Sequence, residues 1–83
     1  MTAANRPNPV TLLEEERIKI EQQQIGVANL QRRYRADLLE EKMDTTRRTR
    51  LEADLRLMDP LARRLALELD DVLRRLRRLR VEA

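Results

Sequence analysis

The C-terminal half of the chain has the most regular spacing of apolar residues. They recur alternately three and four residues apart: Ala62, Leu65, Leu69, Val72, Leu76, Leu79 and Ala83. This is the spacing of the a and d positions of a coiled coil, so it predicts a helix that packs along one side against another helix. Leu61 and Leu73 widen this stripe, and pairs such as Asp70 and Arg74 support the opposite side of the helix.

The N-terminal half is apolar on two sides of one predicted helix. At about 100° per residue, one side carries Ile20, Val27, Leu30, Tyr34 and Leu38. The nearly opposite side carries Ile18, Ile25, Ala28, Ala36, Leu39 and Met43. A helix that is apolar on two sides needs a neighbour on each of them.

Capping signals and a proline predict where the two helices begin. Thr11 and Glu14 have the spacing of a capping box, which favours a first helix over about residues 12–58. Pro60 has no backbone N–H and disfavours helical geometry at Asp59, so we expect a break there and a second helix over about 60–82. Residues 1–10 are interpreted as a flexible arm, and residues 11–83 as a single helical hairpin domain. The predicted fold is all-α, with a long helix followed by a shorter antiparallel one.

These helix lengths predict that the chain assembles with another molecule. The first helix would be about 70 Å long and the second about 33 Å, so the second would leave the first half of its partner uncovered. We therefore expect a coiled-coil or helix-bundle oligomer, or docking on a helical partner protein. The predicted contacts are Ile18, Ile20, Ile25, Val27, Leu30, Tyr34, Leu38, Leu39, Leu65, Leu69, Val72, Leu76 and Leu79.

A second topology places the turn earlier, within residues 44–49, where three threonines cluster. Helices over about 12–43 and 50–82, with a kink at Pro60, would then form a hairpin that covers itself. This arrangement weakens the length argument, but it does not explain the second apolar side of the first helix.

Composition narrows the class of protein further. The chain has 83 residues, 40% of them charged and 1% aromatic, with no Cys and no His. Disulfides, thiolate chemistry and the commonest metal ligand are therefore absent. The carboxylate pairs lie on polar helix faces rather than in a cleft, so we expect no enzyme activity, no cofactor and no small-molecule substrate. No apolar run approaches the roughly 20 residues that span a bilayer, and a cytoplasmic protein (or one inside a virion, if phage-encoded) fits best.

The end of the second helix is rich in arginine: Arg74, Arg75, Arg77, Arg78 and Arg80. These side chains have three possible roles: a solvated helix face, a docking face for an acidic protein, or a nucleic-acid site. Intervening Leu76 and Leu79 belong to the apolar stripe, which favours the solvated face. The predicted function is a non-catalytic helical interaction or assembly module, with nucleic-acid binding by the arginine clusters as the alternative.

Overall fold

The computed structural model describes residues 8–40 and 42–82. Two α-helices, α1 (Pro9–Leu38, 30 residues) and α2 (Thr45–Glu82, 38 residues), are joined by a short connection over residues 39–44. They pack side by side in opposite directions, because Glu14 near the start of α1 pairs with Arg80 near the end of α2, and Gln31 donates to Asp59. The predicted all-α helical hairpin is confirmed.

Helix α1 begins earlier than the capping box at Thr11 predicted. Asn8 is the N-cap, and its Oδ1 accepts a hydrogen bond from the N–H of Val10 at 2.9 Å. Pro9 follows at the first helical position, where its missing N–H costs nothing. Of the predicted arm over residues 1–10, residues 1–7 lie outside the described part of the chain, and the rest form this helix start.

The turn lies between Leu38 and Thr45, so the predicted helix over 12–58 is wrong and the alternative turn near residues 44–49 is closer. Asp44 starts α2, because its carboxylate accepts from the N–H of Thr46 at 3.3 Å and its carbonyl from the N–H of Arg48. Asp44 thus acts as the N-cap of α2, a position that aspartate favours. The order of lengths is also reversed, since α2 is the longer helix.

The predicted break at Asp59–Pro60 is wrong, because α2 continues through both residues. Pro60 is exposed, on the side of α2 that faces away from α1. A helix tolerates a proline best where solvent can hydrate the freed carbonyl group one turn earlier. Packing against α1 on the other side of α2 then keeps the helix continuous.

The helices meet along one continuous apolar seam. On α2, Leu51, Leu65, Val72 and Leu76 are buried, and the predicted stripe residues Ala62, Leu69 and Leu79 are half-buried. On α1, Ile20 is buried in one cluster with Leu65, Val72 and Leu76 of α2. The prediction that the second helix leaves the first half of α1 uncovered is therefore wrong at Ile20, because α2 reaches this half and covers that residue. The predicted stripe residue Ala83 lies outside the described residues.

Candidate interaction surface

Most of the predicted contact residues belong to the seam inside the hairpin. This group comprises Ile20, Val27, Tyr34, Leu38, Leu65, Leu69, Val72, Leu76 and Leu79, all buried or half-buried. The other four predicted contacts, Ile18, Ile25, Leu30 and Leu39, are exposed. The structure thus divides the predicted interface into a seam that the chain completes by itself and a set of apolar side chains that it leaves in solvent.

Sequence reasoning missed that the seam of α1 is partly polar. Less exposed positions recur three and four residues apart along the whole helix, at Val10, Leu13, Arg17, Ile20, Gln24, Val27, Gln31, Tyr34 and Leu38, and the adjacent Glu14, Glu21 and Asp37 are half-buried as well. Arg17, Gln24 and Gln31 recur every seventh residue in this series. This seven-residue spacing indicates that the three polar residues occupy seam positions, although a pattern of apolar residues alone does not include them.

Arg17 keeps its charge in the seam by pairing within α1. Its guanidinium contacts Glu14 at 2.8 Å and Glu21 at 2.9 Å, and the hydrogen bond to Glu14 raises the pKa of Arg17 above its ordinary value. Glu14 also pairs with Arg80 of α2. The four side chains form a chain of ion pairs that joins the two helices near the open end of the hairpin.

The seam separates the hairpin into two broad faces. Residues that immediately precede a seam position form one, which we call the leading face, and residues that immediately follow a seam position form the other, the trailing face. A groove lined by Pro9, Leu12, Arg75 and Arg78 brings together leading positions of both helices. The pair of Glu14 and Arg80 brings together trailing positions of both helices. In an antiparallel coiled coil like positions meet in this way.

The trailing face carries the second apolar side of α1. Ile18 is 46% exposed and Ile25 is 61% exposed, and Leu73 of α2 is 41% exposed at a trailing position of the other helix. Ala28 and Ala66 are exposed on the same face. Leu73 was predicted to widen the seam, but it belongs to this patch instead. We call these five residues the trailing patch.

The leading face is apolar at two places, one near Leu12 and one at the leucines closer to the turn. Leu12, Leu30, Leu57 and Leu61 are exposed there, with charged residues such as Lys19 and Glu68 between them. Leu12 lies in the shallow groove at the open end, which has a volume of about 570 Å³ and a rim of two arginines. The hydrogen bond of Gln31 with Asp59 places Leu30 near the level of Leu61, so Leu30, Leu57 and Leu61 form a second apolar group on this face.

The five predicted arginines at the end of α2 are exposed, and three of them have acidic partners. Arg74 pairs with Asp70, Arg75 with Asp71 at 3.1 Å, and Arg80 with Glu14. The hydrogen bond to Asp70 raises the pKa of Arg74 above its ordinary value. Among the described residues, Arg77 and Arg78 are in no ion pair. Much of the positive charge at this end is thus balanced within the chain.

Residues 8–40 and 42–82 contain no group of side chains that could hold a metal ion and no membrane-spanning helix. Carboxylates do not gather there in groups of three or more that could hold a metal ion. Neither α1 nor α2 contains a stretch long and apolar enough to cross a lipid bilayer. The chain matches no protein-family model, no curated protein and no solved structure.

Proposed function

We propose that this chain is a non-catalytic helical interaction module that binds another helical surface through its trailing patch. The observation that carries the proposal is the exposure of Ile18 and Ile25 on a helix whose seam is already complete. Burying one such side chain fully is worth about 1.5–3 kcal/mol. A surface that exposes several neighbouring apolar side chains is typical of a binding site.

The shape of the hairpin supports this function. Its extents are 62 × 27 × 15 Å, so the molecule is one layer of helices thick. Stable domains bury apolar faces between at least two layers of secondary structure. A helical partner on the trailing face would supply the second layer.

A double substitution tests the proposal. The chain is immobilised and exposed to an extract of its host, and the retained proteins are compared with those retained by a variant carrying Ile18→Asp and Ile25→Asp. We expect the variant to lose a protein that the original chain retains, because charged side chains in the patch cannot be buried without a large desolvation penalty.

The matched control places the same charge on a different side of the hairpin. Leu57→Asp changes a side chain of similar exposure on the leading face, and we expect it to retain the same protein. Helicity measured by circular dichroism shows whether each variant is folded. Equal retention by the double variant and the original chain would contradict the proposal.

The alternative is binding of nucleic acid or of an acidic protein through the arginines of α2. It is favoured by residues 73–82, which contain five arginines and one glutamate. This function predicts retention on DNA or RNA that decreases steeply with salt and is lost when Arg77 and Arg78 become Ala. Retention of an acidic protein but not of nucleic acid would indicate the narrower function, a regulator of that protein.

A further inference from the structure

The register of the hairpin places the apolar residues of the trailing face in pairs. The hydrogen bond between Gln31 and Asp59 fixes which residues of α1 and α2 lie at the same level. Counting equally along the two antiparallel helices from that bond puts Ile25 near the level of Ala66 and Ile18 near the level of Leu73, while the long side chains of Glu14 and Arg80 pair across about one further turn. Ile20 and Val72, which this register places close to one level, belong to the same buried cluster in the seam.

We infer that the trailing patch binds a second copy of this chain, with the two hairpins parallel and α1 of each copy lying on α2 of the other. This inference rests on the proposed function and identifies the partner. The two-fold axis runs along the length of the hairpin, so each residue of α1 meets the α2 residue at its own level in the second copy. The result is a four-helix bundle in which every helix is antiparallel to its two nearest neighbours.

The apolar residues of the patch are self-complementary in this arrangement. Ile18 lies on Leu73 of the second copy, and Ile25 lies on Ala66 of the second copy, and the symmetry repeats both contacts. Each level therefore becomes a closed layer of four side chains. The layer of Ile18 and Leu73 contains only large residues, and the layer of Ile25 and Ala66 alternates large and small ones. Isologous interfaces require this kind of self-complementary patch.

Two charged pairs that flank the patch are complementary, whereas Arg35 is level with Arg56 toward the turn. Glu14 is level with Arg77, and Arg32 is level with Asp59, so each meets an opposite charge in the second copy. Glu21 and Asp70 share a level between the apolar layers, but each already has an arginine partner in its own chain, Arg17 or Arg74.

Antiparallel arrangements of the two hairpins fit less well. In these arrangements the two-fold axis is perpendicular to the helices. If it passes at the level of Ile25, Ile18 lies on Arg32 of the second copy. If the hairpins shift so that Ile18 meets Ile25, Arg63 and Arg77 of opposite copies come together. The parallel arrangement avoids both conflicts; its like-charge levels are Glu21 with Asp70, each paired within its own chain, and Arg35 with Arg56 outside the patch.

The face is large enough for a stable dimer. Its length and width of 62 × 27 Å correspond to on the order of 1,700 Å², whereas a stable interface of standard size uses about 800 Å² of each partner. Covering half of the trailing face is therefore sufficient, and the patch occupies the half nearer the open end.

Sedimentation of the full chain at micromolar concentrations tests whether a second copy binds the trailing patch. We expect a species of twice the 9.9 kDa chain mass. Ile25→Glu should raise the dissociation constant at least about tenfold, whereas Leu57→Glu on the leading face should not change it. Retained helicity in both variants shows that the hairpin itself is intact.

Disulfide cross-linking tests the arrangement, because the chain contains no Cys of its own. Two single variants, Ile25→Cys and Ala66→Cys, are oxidised separately and as a mixture. We expect a covalent dimer that joins the two different variants in the mixture and little dimer from either variant alone. Efficient cross-linking of Ile25→Cys to itself would overturn the parallel arrangement.

The outcomes separate this inference from the proposed function. A chain that sediments at 9.9 kDa at every concentration overturns the second copy as occupant, while a different protein lost with Ile18→Asp and Ile25→Asp would still support an interaction module. If the patch variants keep both the dimer and every retained protein, the inferred dimer and the proposed function are overturned together.

Discussion

Three consecutive glutamines show how position decides the energetic role of a side chain. Gln22 and Gln23 are exposed, whereas Gln24 is half-buried in the seam of α1. A polar residue at a core position of a coiled coil lowers stability but restricts register and orientation. With Arg17 and Gln31 one heptad away on either side, Gln24 limits how α1 can slide along α2.

Replacing Gln24 by Leu should therefore stabilise the hairpin. Full burial of a leucine side chain is worth about 1.5–3 kcal/mol, and at this half-buried position we expect a gain of about 1 kcal/mol in the free energy of unfolding. Urea denaturation measures the change. Gln23→Leu is the matched control and should stay within about 0.5 kcal/mol of the original chain; equal gains at both positions would show that Gln24 is not in the seam.

Arg48 holds the turn of the hairpin together. It occupies a seam position of α2, and its guanidinium donates to the carbonyl oxygens of Leu38 and Glu40 at 3.0 Å each. The last carbonyl groups of a helix have no partner within the helix, and they carry the negative end of its dipole. One side chain of α2 thus caps the C-terminal end of α1.

Truncating Arg48 to Ala should lower the free energy of unfolding by about 1.5–3 kcal/mol, the range for a hydrogen bond to a charged group. The neighbouring arginine provides the comparison, because Arg47 is exposed and makes no such bond in the described structure. Arg47→Ala should change the stability by less than about 0.5 kcal/mol. Thermal or urea unfolding that shows similar losses for the two variants would refute the capping role.

At the scale of the helix, α2 shows where local sequence signals are overruled. Pro60 is a strong helix breaker, yet α2 continues through it, because the seam residues Met58 and Ala62 on either side pack toward α1. Propensity is a weak prior when a long apolar face can be buried. The proline nevertheless removes one backbone hydrogen bond from the middle of the helix.

Pro60→Ala should consequently stabilise the hairpin, by up to about 3 kcal/mol, the difference between the two residues within a helix. Pro60→Gly should give a gain smaller by about 1 kcal/mol, because glycine restores the N–H but is a poorer helix former than alanine. Both changes are read from the midpoint of urea denaturation. A loss of stability in Pro60→Ala would mean that α2 is interrupted at this residue.

The helices and the α2 seam could be predicted from residue spacing, but the position of the turn could not. Periodicity located Leu65, Val72 and Leu76 correctly, because burial follows a repeat that one helix contains by itself. The choice between a break at Pro60 and one near Asp44 depends on which register buries more of both helices. That quantity involves pairs of residues far apart in the chain, including the ion pair of Glu14 with Arg80. Likewise, the trailing patch combines Ile25 with Leu73, and only the register brings these residues to one face.

For the whole molecule, the elongated one-layer shape limits how much apolar surface the chain can bury by itself. The radius of gyration is 19.0 Å, whereas a compact domain of this many residues has about 12 Å. The excess arises because α2 alone is about 57 Å long at 1.5 Å per residue. A rod of this type can bury more apolar surface only by gaining a second layer, and how that layer is added determines the shape of the assembly.

Small-angle scattering distinguishes the possible ways of adding a second layer. Two hairpins packed face to face at a helix spacing of about 10 Å would double the mass while raising the radius of gyration only to about 20 Å. Hairpins joined end to end, with centres separated by the 62 Å length of one molecule, would instead give about 36 Å. We expect the smaller value for the original chain and, at the same concentration, half its forward scattering for Ile25→Glu, because that side chain belongs to the trailing patch. A doubled mass with the larger radius would place the contact at the ends of the hairpin, where the arginines of α2 and the groove beside Leu12 lie.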